Sequence, residues 1–235
     1  AMRRAPGAVG QEHVDFNYHW YSRVRIHVPI ITEPTVRFFC GADEVHMAAG
    51  EAWLFDSWRR HRVINGSANV RIHLVIDLAG SAAFWHMVRR VQRGEASSGP
   101  QSKPFDPDLN PELTPVRFPF APVMAPGEMS AMVAELLDDC RANKANDAHM
   151  LEYYHDVLFD LVHDWRRQWS LYGLTPEGIA GYQGLLQRTR SALKENPRVL
   201  VTQSNGVGIN PIILQRILGA ALQPRRAAEF VTGRS

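Results

Sequence analysis

Apolar and polar positions alternate along the first eighty or so residues of this chain, and then the period changes. Between Arg23 and Ile30 the alternation is strict: Val24, Ile26, Val28 and Ile30 fall on one side of an extended chain, and Arg23, Arg25 and His27 on the other. The tetrapeptide Val-Arg-Ile-His returns at Val70 to His73, where Arg71 and His73 again oppose Val70, Ile72 and Leu74. Two strands therefore carry arginine and histidine on one face. Residues 18 to 31 are read as one strand, ended at Glu33-Pro34 because proline cannot donate to a ladder. Shorter strands are expected at 2–9, 35–40, 44–47 and 51–55, with turns at Gly41-Ala42-Asp43 and Ala48-Ala49-Gly50. His61 opens a further strand. If Asn65-Gly66-Ser67-Ala68 is a hairpin loop, His61 and Arg71 lie near each other on adjacent strands.

From Gly80 onward Phe84, Trp85, Val88 and Val91 recur at helical spacing. Residues 93–128 hold eight of the fifteen prolines, so neither a helix nor a central strand can persist there. This stretch reads as a linker or a long loop, with Phe105, Phe118 and Phe120 available to drape it over the first region. Beyond it, Met129, Met132, Val133, Leu136, Leu137 and Cys140 mark one helical stripe. Leu151, Tyr154, Leu158, Leu161, Trp165 and Trp169 mark a longer one. A third helix is predicted over 176–194, an extended piece over 198–202, and a last helix over 211–222 with proline near its first turn. The fold class is thus α+β, in three regions: a β core at 1–92, the proline-rich stretch at 93–128, and an α-helical extension at 129–235. That extension either packs against the core or offers a homodimer surface.

Composition narrows the partners. With 45% hydrophobic and 21% charged residues the chain can bury one large domain, or one domain with a smaller appendage. A net charge of +2 with no long basic run leaves no nucleic-acid footprint, so a small-molecule or peptide substrate is expected. Cys40 and Cys140 stand alone, without metal-ligand spacing, and read as thiols of a reducing compartment. No apolar run approaches the roughly eighteen residues of a membrane span, and the start lacks the apolar region of a signal peptide. No membrane association and a cytoplasmic location are expected.

The candidate chemistry lies in the first region. His13 and Asp15 form the chain's one His-x-Asp pair, and with the distant His61 they can supply the two imidazoles and one carboxylate of a facial iron site. Arginines on the inner face of a barrel need an anionic partner, because an unpaired buried charge costs several kcal/mol. A dicarboxylate co-substrate would meet that need at Arg71. His19 lies close enough to Asp15 to compete as a ligand or to bind substrate, while His46 and His73 read as polar interior or surface residues. The doublets His155-Asp156 and His163-Asp164 lack the partners of a hydrolase metal site and read as a solvated helix face. The Asn205-Gly206-Val207-Gly208 turn is too short a glycine pattern to indicate phosphate.

Residues 3 to 80 resemble the aspartyl/asparaginyl and proline hydroxylase family. The resemblance rests on His13-x-Asp15, on Arg25-Ile26-His27, on the run from Gly50 to Trp58, and on His61 followed by Arg71. It implies a double-stranded β-helix (a jelly-roll, cupin-like barrel) that binds Fe(II) through His13, Asp15 and His61. It also implies 2-oxoglutarate as co-substrate, contacted by Arg25, His27 and Arg71, and use of O2 to hydroxylate an unactivated C–H with release of succinate. Asp15 makes the ligand set similar to that of the free-proline cis-hydroxylase branch, and relatives carry a further N-terminal region beyond what is legible here. Two rival readings remain: a cupin-like metal-binding protein without oxygenase activity, and an inactive binding or scaffold module. Cupins usually carry His-x-His, which does not occur in this chain.

Overall fold

The structure, a computed structural model, describes residues 1–95, 106–109 and 122–222. Most of the proline-rich stretch, with Phe105, Phe118 and Phe120, lies outside the described residues. The N-terminal part consists of two three-stranded antiparallel sheets. One has the order β1 (Met2–Arg4), β6 (Arg71–Leu78), β2 (Val24–Ile31); the other has β4 (Asp43–Val45), β3 (Val36–Cys40), β5 (His61–Asn65). Single bridges add chain segments to their edges: His27 to Trp53, Val9 to Ile64 and His13 to His61. These ladders do not close into one barrel among the described residues.

The strands β2 and β6 pair with Arg25 opposite Asp77, His27 opposite Val75 and Pro29 opposite His73. This register puts Val24, Ile26 and Val28 on the other face with Leu78, Ile76 and Leu74. Burial falls on the polar side: His27, Arg71 and His73 are 5%, 2% and 1% exposed, whereas Ile30, Leu74 and Ile76 remain at least 41% exposed. The second sheet turns Val36, Phe38, Cys40 and Val63 inward with Met47, and Trp53 and Phe55 pack against this small core.

Three expectations are corrected. β5 and β6 are not a hairpin, because β5 pairs with β3 while β6 pairs with β2 and β1. The loop between them is a crossover held by the fully buried Asn65. Its Nδ2 donates to the carbonyls of Ala5 (2.9 Å) and Asn69 (2.9 Å), and its Oδ1 accepts from Ser67 Oγ (2.7 Å). The segment Tyr18–Tyr21, expected as strand, is a short helix α1, because Asn17 accepts from the His19 amide as an N-cap. The 51–55 stretch contributes only the Trp53 bridge, not a strand.

α2 (Ala82–Gln92) buries no residue. The helical half is a separate matter. α3 (Pro126–Ala142), α4 (Ala148–Tyr172) and α5 (Ile179–Ala192) form a core with a final helical run. That run consists of α6 (Ile209–Ile212), a π turn (Ile213–Leu218) and α7 (Gly219–Ala221). The whole predicted stripe of α3 is buried, from Met129 to Cys140. α4 starts at Asp147, whose carboxylate accepts from the Met150 amide, and ends at Gly173, where a φ of 54° suits glycine. The helical half packs on the sheet half, and Tyr18 belongs to its core. No helix among the described residues is long and apolar enough to cross a membrane.

Candidate metal centre

The backbone of His13 and His61 exchanges two hydrogen bonds, His13 N–H to His61 O (3.0 Å) and His61 N–H to His13 O (2.9 Å), so the two rings stand side by side with centroids 4.3 Å apart. Each Nδ1–H donates to a backbone carbonyl two residues earlier, Gln11 for His13 and Arg59 for His61, both at 2.9 Å. That choice of tautomer leaves both Nε2 atoms as free lone pairs. The Asp15 amide donates to the Ser57 carbonyl at 3.0 Å, which brings its carboxylate back to the pair. Asp15 Oδ2 is 3.7 Å from His61 Nε2, and Oδ1 is 4.0 Å from His13 Nε2. One donor atom from each of the three lies within 4.8 Å of the others. Their chemistry fits a borderline divalent cation. Burial raises the Asp15 carboxyl against the pull of both imidazoles and lowers His61. A cation at their common point would reverse the pressure on Asp15.

A cavity of about 190 Å³ opens on these donors and is lined by all six predicted site residues, His13, Asp15, Arg25, His27, His61 and Arg71. The six do not share one condition. Arg25 is satisfied: its Nε and Nη2 donate to Asp77 at 2.6 and 2.7 Å, and its guanidinium lies 4.1 Å from the Trp20 ring centre. Burial alone would raise the Asp77 carboxyl, but the bonds from Arg25 and His19 outweigh it and hold it well below the ordinary carboxylate range. Arg71 is different. Its Nη2 donates to His73 Nδ1 at 2.7 Å, its buried Nε has no partner, and no acidic side chain pairs with it among the described residues. Burial, with Arg4 nearby, lowers Arg71 to about 10. Burial and the adjacent guanidiniums hold His27 down at about 4 and His73 at about 3, so both rings are neutral at pH 7.

His19 bonds to Asp77 at 3.4 Å and is not among the grouped donors. Asp156, His163 and Asp164 are exposed on α4, and His155 there is half-buried. Sequence reasoning missed the roles of Asp77 and His73. The signal was present, since Arg71, His73, Val75 and Asp77 share one parity along a single strand.

Two imidazoles, one carboxylate and an unneutralised guanidinium in one cavity between antiparallel sheets define a candidate centre of the two-histidine, one-carboxylate class. Residues 2–80 match the family described as aspartyl/asparaginyl beta-hydroxylase, which supports that family for the N-terminal third of the chain and suggests a hydroxylase-like oxygenase. No curated protein matches the chain. Among solved structures, a protein described as TT1209 from Thermus thermophilus is similar at 23% identity over 33% of this chain and 67% of its own, with a TM-score of 0.27.

Proposed function

We propose that the chain is an Fe(II)- and 2-oxoglutarate-dependent dioxygenase on a double-stranded β-helix, hydroxylating an unactivated C–H of an amino acid, free or within a peptide. The observation that carries the reading is Arg71, a buried cation without an anion among the described residues, facing the same small cavity as the three grouped donors. A dicarboxylate with one end on the metal and the other on Arg71 would satisfy both, by charge-assisted hydrogen bonds. The match over residues 2–80 supports the hydroxylase class. Bound iron with 2-oxoglutarate and dioxygen would supply the oxidation, 2-oxoglutarate being converted to succinate and CO2 as one oxygen atom is inserted into the substrate C–H.

The chain's own residues do the rest. His13, Asp15 and His61 would hold the metal through two imidazoles and one carboxylate. Neutral His73 accepts from Arg71 and so aims the guanidinium without competing for its charge. Phe38 and Val63 line the cavity and reduce access of water. Asp15, a carboxylate ligand, favours hydroxylation over halogenation and a ligand set like that of the free-proline hydroxylases.

The test is succinate release with Fe(II) and 2-oxoglutarate across free amino acids, short peptides and unrelated acids. Release stimulated by an amino acid or peptide, and abolished in Asp15→Ala, is expected. No release with any compound would favour a metal-binding barrel without oxygenase activity. Release stimulated only by compounds outside the amino acids would overturn the substrate class alone.

A further inference from the structure

The family match ends at residue 80, yet the helical half grips the segments that carry the metal donors. Arg216 Nε donates to the carbonyl of Phe16, the residue after Asp15, at 3.1 Å. The same guanidinium lies 4.0 Å from the ring centre of Trp58, which follows Ser57, the residue that holds the Asp15 amide. Trp58 is fixed in turn by Ser204 Oγ, which accepts from its Nε1 at 2.6 Å, and by Asn205 Nδ2, which donates to its carbonyl at 2.9 Å. Arg60, next to His61, donates to the Asn205 carbonyl at 2.8 Å. Residues of the helical half thus hold the chain beside both Asp15 and His61.

Arg216 stands on the π turn Ile213–Leu218, a rare geometry that offsets side chains from the ordinary helical positions and is frequent at functional sites. It is 9% exposed and makes no ion pair among the described residues, so its burial carries a desolvation cost that no ion pair there offsets. Its nearest partners are the Phe16 carbonyl and the Trp58 indole face, both in segments adjoining a metal donor, with the Tyr21 ring centre farther off at 5.4 Å.

We propose that Arg216 is a positioning residue for the metal centre, fixing the Asp15 carboxylate against the two imidazoles by clamping Phe16 and Trp58 together. The helical half then sets the metal affinity of a site whose grouped donors all lie outside it. This inference rests on the metal centre proposed above, and the experiment separates the two.

Co(II) is titrated into the wild-type chain and variants, with its visible absorption spectrum as a report on coordination. Arg216→Met keeps an apolar stem against Trp58 and removes the donor. It is expected to bind Co(II) about tenfold more weakly, the lower range for loss of an outer-shell partner, with an altered spectrum. Ser204→Ala, which removes the acceptor of the Trp58 indole N–H, is expected to shift affinity in the same direction by less. Tyr153→Phe removes a hydrogen bond to the Ala192 carbonyl inside the helical half and is expected to leave Co(II) affinity unchanged. Wild-type affinity and spectrum in Arg216→Met would overturn the positioning role while leaving the metal centre intact. An equal loss in Tyr153→Phe would overturn it too, by showing a general stability effect. Absence of Co(II) binding by the wild type would overturn the metal reading and this inference with it. Should Arg216→Met not fold, unchanged affinity in Ser204→Ala overturns the proposal.

Discussion

At the scale of single residues, Arg71 and Arg25 look alike in sequence, each followed two positions later by histidine on a β-strand. Their partners separate them. Arg25 is neutralised by Asp77, and among the described residues Arg71 has only a neutral imidazole. Arg71→Ala is therefore expected to raise the 2-oxoglutarate concentration needed for half-maximal turnover. Losing a charged partner costs about 2–5 kcal/mol of binding, which is roughly thirtyfold or more. Metal affinity should change little, and an unchanged co-substrate requirement would remove Arg71 from this role. Asp77→Asn acts on the other arginine. It should lower unfolding free energy by about 1–3 kcal/mol, because a partly buried guanidinium loses its anion. Denaturant titration measures it, and the co-substrate requirement should move far less than in Arg71→Ala.

At the scale of elements, the parity of β2 and β6 was legible, and so was the shared face of their arginines and histidines, because a side chain's face depends only on counting by two. Which strand pairs with which was not. Alternation carries no information about the neighbour, and the Asn-Gly-Ser-Ala stretch fits a tight hairpin as well as a crossover. Asn65 resolves the ambiguity in the structure by holding Ala5, Ser67 and Asn69 together, linking the loop to the N-terminal strand. Asn65→Ala leaves several buried partners unsatisfied and is expected to cost about 2–4 kcal/mol of stability, read as a lowered thermal midpoint. A midpoint within about a degree of wild type would mean the crossover is held by something else. The helical stripes of α3 and α4 were legible because 3.6-residue periodicity survives any choice of partner. The π turn was not, since Ile-Leu-Gln-Arg-Ile-Leu is ordinary helical sequence.

At the scale of the whole molecule, the sheet half buries His27, Arg71 and His73 together, and acid should unfold it by a route set by the two histidines. The folded chain holds His27 at about 4 and His73 at about 3, while an unfolded histidine titrates near 6.5. Both native values are depressed, chiefly by burial, so below about pH 6.5 the unfolded chain binds protons that the native chain refuses. Stability is therefore full above about pH 6.5 and falls as the pH drops toward 4, where His27 begins to protonate in the native state as well. Each histidine should contribute a loss on the order of 1–2 kcal/mol between pH 7 and pH 5, at most about 1.4 kcal/mol per pH unit. Denaturant unfolding of metal-free protein at a series of pH values measures the slope, with chelator present so that protons do not compete with a bound cation. His27→Asn and His73→Asn each replace a titrating ring by a neutral amide, so each variant should be less stable than wild type at pH 7 yet lose less between pH 7 and pH 5. An unchanged slope in both variants would mean that these imidazoles titrate alike in the folded and unfolded chain, so that burial does not hold their native values down.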